Sequence, residues 1–161
     1  MNCKKRILLA GMSILFLTGC SDYSLSKVSP QNTLTAQTIS INKTESEMIL
    51  KNIIAEAIAT KQSSTTLRLY LEDESLQNNK ETIVTNLNTH LKTIEDLKIK
   101  TISYNMHKDY KDIQKQVSDI LSKLIDSQKQ LITNLEDDDL KQLSSEMENY
   151  DNLMTQLQGL L

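Results

Sequence analysis

From residue 44 onward, apolar residues recur at helical spacing along most of the chain. Ile49, Ile53 and Ala57 form one row, with Leu50, Ile54 and Ile58 as a second beside it. This is the stripe an amphipathic helix turns toward a core. Just ahead, Thr44-Glu45-Ser46-Glu47 has the form of a capping box, in which the Thr44 hydroxyl and the Glu47 carboxylate satisfy free backbone donors. Past Thr60 comes a polar cluster, Gln62–Thr66, and then Leu67, Leu69 and Leu71. Helical spacing joins Leu67 to Leu71, while strict alternation joins all three as a strand would. The pattern predicts one helix from about Thr44 to Leu76, with a break near Ser63-Ser64. Gln77-Asn78-Asn79 supplies the turn after it. Ile83, Leu87, Leu91, Ile94 and Leu97 then predict a second helix, and Leu97, Ile99 and Thr101 alternate once more up to Tyr104. Two short strands around a helix would leave open edges, which favours the helical reading.

The last third is more regular. Tyr110, Val117, Leu124 and Leu131 recur every seven residues, and Ile113 and Ile120 make the second seam. Further on, Leu140, Leu143, Met147, Tyr150, Met154, Leu157 and Leu161 alternate steps of three and four. Both are heptad patterns, as in coiled-coil packing. They differ in phase, because the first seam continued from Leu131 lands on Asp138. Glu136-Asp137-Asp138-Asp139 therefore marks a turn between antiparallel helices, its acids suited to the positive end of the new helix. Between Pro30 and Gly159 there is neither glycine nor proline. Sheets and barrels use both for tight turns and bulges. The expectation is an all-α fold: three or four long helices in an antiparallel bundle with coiled-coil-like packing.

The first 43 residues read differently. Lys4, Lys5 and Arg6 precede an apolar run, Ile7–Phe16. The run is shorter than the roughly 20 residues a membrane-spanning helix needs, and it matches the charged and apolar regions of a secretory signal. It ends in Leu17-Thr18-Gly19-Cys20. This resembles the lipobox of bacterial lipoproteins, with Leu first, two small residues, and then the cysteine that is modified. The resemblance implies a diacylglyceryl thioether on Cys20, with Leu17, Thr18 and Gly19 recognised by a signal peptidase that cuts before Cys20. Acyl chains on Cys20 would hold the product to membrane lipid, since each buried CH₂ contributes about 0.8 kcal/mol. The expected product is held at the membrane and faces outward. In a host with two membranes, the resemblance implies sorting to the outer one, because the residue after the cysteine is Ser21. Ser21–Lys43, rich in Ser, Thr, Asn and Gln, reads as a flexible tether. The organisation is thus a signal peptide (1–19), a lipidated cysteine with its tether (20–43) and a helical domain (44–161).

Composition narrows the function classes. The formal charge of −3 includes the three basic residues of the signal, so the mature product is more acidic and a poor candidate for nucleic acid. Its cysteines are Cys3 and Cys20 only, leaving no disulfide and no thiolate ligand after processing. Phe16 is the single phenylalanine and there is no tryptophan, so an aromatic platform for sugars or bases is not expected. The acidic run 136–139 lacks the alternating oxygens and central glycine of a calcium loop. His90 and His107 are the only histidines and lack zinc-motif spacing. No glycine-rich phosphate loop and no Gly-x-Ser-x-Gly elbow occurs. The expected function is a non-catalytic helical interaction module with an envelope protein partner and no metal or cofactor. The alternative is a lipoprotein holding a ligand or cell-wall component in a pocket of the bundle. Leu140, Leu143, Met147, Tyr150, Met154 and Leu157 are the candidate partner-binding face, because their seam is the most regular.

Overall fold

The computed structural model describes residues 41–72 and 79–160. Asn42 caps the first helix: its side chain accepts from the Glu45 amide at 2.9 Å while the Glu45 carboxylate accepts from the Asn42 amide at 3.2 Å. The capping box therefore sits two residues earlier than the Thr44–Glu47 expectation. Asn caps as well as Thr, and Glu47 is engaged elsewhere, by Lys51 and the Tyr110 hydroxyl. Helix α1 (Lys43–Ala59) buries Leu50, Ile53, Ile54 and Ala57, and α2 (Gln62–Glu72) continues its stripe through Ser63, Ser64, Leu67 and Tyr70.

The break between α1 and α2 falls at Thr60-Lys61, not at Ser63-Ser64. The Thr60 hydroxyl donates back to the Ala57 carbonyl at 2.7 Å, and the backbone tightens into bonds three residues apart. Such back-bonding competes with the helical ladder, so no glycine or proline is needed. The two segments together form the first leg of a four-legged antiparallel bundle. The other legs are α3 (Lys80–Ser103), α4 (Lys111–Glu136) and α5 (Leu140–Gln158). Helix α4 packs most extensively on α3 and α5, and the first leg fills the side between α3 and α5.

Both ambiguous stretches are helical. A strand would turn Leu67, Leu69 and Leu71 to one side. Instead Leu67 is fully buried and Leu69 exposed. Leu97 and Thr101 are likewise buried, while Ile99 between them is exposed. The acidic run makes the expected turn: Asp138 takes a left-handed conformation (φ 57°), Asp139 caps α5 through the Gln142 amide, and Lys80 reaches across to Asp138 at 2.6 Å. Of the earlier turn, Asn79 precedes α3, while Gln77 and Asn78 lie outside the described residues, as do Leu76 and Leu161.

At the opposite end, the base, the start of α1 is tied to the α3–α4 connection. The Ile41 amide donates to the Asn105 carbonyl at 3.4 Å, Ser46 accepts from the His107 amide at 2.9 Å, and Lys43 pairs with Asp109 at 3.0 Å.

The core is mainly aliphatic, and a group of hydrogen-bonded polar side chains crosses its middle. Thr60 has one hydroxyl proton, already given to Ala57, so the buried Tyr150 hydroxyl donates to it at 2.9 Å. Burial pushes the Tyr150 phenol up to about 12, keeping it a donor at any physiological pH. Asp151 accepts from Ser64 at 2.8 Å and Arg68 at 2.6 Å, and Ser63 is bonded to His90. From α4, fully buried Gln128 donates to the Leu87 carbonyl at 2.9 Å, while its Oε1 has no protein partner.

That orphan oxygen makes a stability prediction. An unpaired buried acceptor costs about 1–3 kcal/mol, whereas the amide bond to Leu87 contributes about 0.5–1.5 kcal/mol, and the Leu87 carbonyl keeps its place in the helical ladder. Gln128→Met, similar in volume, should leave the urea unfolding free energy unchanged or raise it by about 1 kcal/mol. A loss of more than about 1 kcal/mol would mean that the oxygen has a partner in solution.

Candidate functional site

The lipobox residues Leu17, Thr18, Gly19 and Cys20 lie outside the described residues. Within those residues, no helix is long and apolar enough to cross a membrane. The α5 seam is placed inward. Leu143, Met147, Tyr150, Met154 and Leu157 are buried, and only Leu140 is exposed, at 48%. The tight turn at Asp138 folds α5 back along α4, so this seam meets the other legs of its own bundle. Its regularity reflects intramolecular packing, and the face is not open to a partner helix.

The two histidines are kept apart. His107 sits in the connection at the base, where its ring accepts from the Asp109 amide at 3.3 Å. His90 lies in α3, about 20 Å of helix rise before the end at Ser103. Among the described residues no group of three His, Cys, Asp or Glu is placed to hold a metal ion.

A cavity of about 200 Å³ between α2 and α3 is lined by Gln62, Ser63, Thr66, Ile83, Asn86, Leu87 and His90. The Ser63–His90 hydrogen bond at its edge pairs a nucleophile type with a base type. A working pair needs an accessible hydroxyl and a third group orienting the imidazole. Ser63 is only 2% exposed, and no carboxylate lines the cavity. The pair therefore fastens α2 to α3. The cavity is also smaller than the roughly 300–1,000 Å³ of ligand sites.

The larger opening is a groove of about 550 Å³ between α3 and α4. Ile99 and Ile102 flank it, exposed at 61% and 62%, with Ile125 and Ser122 opposite them on α4. Helix α3 turns Ile83, Leu87, Ile94, Leu97 and Thr101 to the core. At 100° per residue, Ile99 falls about 160° and Ile102 about 100° from the centre of that stripe, so both lie outside it. Nothing in the folding of the bundle requires an isoleucine there. The rim is charged: Glu95 and Lys98 on α3, Asp126 and Lys129 on α4, with Lys129 reaching Glu95 at 3.4 Å. Exposed isoleucines thus lie inside a charged rim. The signal for it lay in the alternation at Leu97-Ile99-Thr101: in a helix, the odd residue of such a run must face outward.

Comparison with known proteins finds no family model, no curated protein and no solved structure that matches this chain.

His90 yields a pH prediction. Burial holds its imidazole below the ordinary value of 6.5, so the folded chain takes up its proton less readily than the unfolded chain does. Protonation therefore favours unfolding. The contribution is fully present above pH 6.5 and is lost as pH falls from there through the depressed folded value. The thermal midpoint of the wild-type chain should decline between pH 7 and 5, and His90→Gln should flatten that decline. Parallel curves for the two proteins would count against it.

Proposed function

We propose that this chain is a lipid-anchored, non-catalytic helical module that binds a protein at the outer face of a cell membrane. The observation that carries the interaction reading is the groove between α3 and α4. Ile99 and Ile102 expose apolar surface that the bundle does not use, and charged side chains surround it. Exposed apolar surface costs solubility, and surplus of this kind marks contact sites. The anchor rests on the resemblance of Leu17-Thr18-Gly19-Cys20 to a lipobox. The two parts fit together mechanically. The chain joins the bundle at the base, beside the α3–α4 connection. A bundle held from that end has its long sides free for neighbours, and the groove opens on one of them.

Each part has its own test. Cys20→Ser should abolish palmitate labelling and release the chain from the membrane fraction; labelling that persists would sink the anchor. For the groove, a photo-activated cross-linking residue placed at Ile102 of the full chain in living cells should capture protein in discrete adducts. The same residue at Met48, an exposed position on α1, should not. Equal capture from both positions, or none from Ile102, would contradict the groove as the contact surface.

A further inference from the structure

We propose that the occupant of the α3–α4 groove is a second copy of this chain, packed side by side about a twofold axis parallel to the bundle. This rests on the groove being an interaction surface and names its partner.

Charge and symmetry point to this partner. Lys129 and Glu95 meet at 3.4 Å across the groove, which sets their side-chain tips at one height. Helices α3 and α4 are antiparallel and have the same rise per residue, so equal steps toward the base from that pair preserve the match. Three residues along each helix bring Lys98 on α3 level with Asp126 on α4. Another step brings Ile99 level with Ile125, and three more bring Ile102 level with Ser122. The two walls thus carry opposite charges at each charged level, and the order of signs reverses between levels.

A twofold axis along the bundle sets the α3 wall of one copy against the α4 wall of the other at the same height. Glu95 then faces Lys129 of the second copy, and Lys98 faces its Asp126. All four rim charges in each copy meet an opposite sign. Ile99 and Ile102 come level with the second copy's Ile125 and Ser122 instead of facing water. An unrelated partner would need this alternation of signs by design; the chain's own face has it by symmetry. The arrangement also keeps both copies pointing the same way, with both chain ends joining at the base, as two copies held by one membrane must be. Lateral confinement raises the effective concentration that a patch of this modest size needs.

The test uses the full chain in membranes of producing cells. Ile102→Cys, treated with a bismaleimide reagent, should give an adduct of twice the chain mass; Met48→Cys and the wild-type chain set the background. Added to Ile102→Cys, Lys98→Asp or Asp126→Lys alone places like charges together at both symmetric contacts. Each should lower the adduct about ten-fold. Producing the two variants together in one cell should restore it, because each chain then supplies the sign that the other lacks. That rescue can only pass between chains, and it also shows that neither variant is misfolded. A dimer adduct no stronger than that of Met48→Cys, or no rescue on mixing, would overturn the proposal. Capture of a different protein at Ile102 without a dimer would overturn self-association yet leave the groove as an interaction surface; no capture at all would overturn both.

Discussion

Four legs lined almost wholly by Leu, Ile, Val and Met have many ways to pack. A helix sliding by one turn, about 5.4 Å, exchanges one aliphatic contact for another at small cost. The polar layer removes that freedom. Thr60, Ser63 and Ser64 on the first leg, His90 on α3, Gln128 on α4 and Tyr150 and Asp151 on α5 lie buried or partly buried at the same belt of the bundle. A shift of any leg would strand hydroxyls, an amide and a carboxylate without partners, and each stranded group costs more than a good bond returns. Buried polar positions serve the same purpose in coiled coils, where they set register at some expense of stability. The orphan oxygen of Gln128 is where that expense shows.

The break between α1 and α2 belongs to the same arrangement. Thr60 ends α1 by bonding back to Ala57 and, by doing so, becomes the acceptor for Tyr150. One hydroxyl thus both terminates a helix and receives the deepest aromatic of α5. Just past the interruption, Ser63 and Ser64 bring two further hydroxyls to the same belt. At the ends, Lys80 with Asp138 and Lys43 with Asp109 pin the connections. These ion pairs are largely exposed, and their contribution is small beside that of the buried layer.

With the register set and the core filled from within, surplus apolar surface becomes meaningful. The α5 seam, the most regular in the chain, is consumed by folding. The α3–α4 groove is left over. Ile99 and Ile102 stand outside the core stripe of α3, and the rim charges are arranged across two helices that only the antiparallel fold brings together.

Much was legible in the residues alone. The three-and-four spacing of Leu, Ile and Val, and the lack of glycine and proline between residues 30 and 159, determined an all-α chain and its leg order. The phase change at Asp138 determined the last turn, because local hydrophobic period and turn chemistry are properties of neighbouring residues. The rest depended on which faces meet. Gln62–Thr66 reads as a polar cluster with a helix break, yet Ser63 and Ser64 are buried within α2, since their partners His90 and Asp151 come from helices distant in sequence. Leu140–Leu157 reads as an open face, yet all but Leu140 is core, because spacing shows that a stripe will be covered and not by what. The alternation at Ile99 could be assigned to a surface only after Leu97 and Thr101 were seen to take the core side. A linear pattern specifies which residues share a face; the tertiary structure decides whether that face is already occupied.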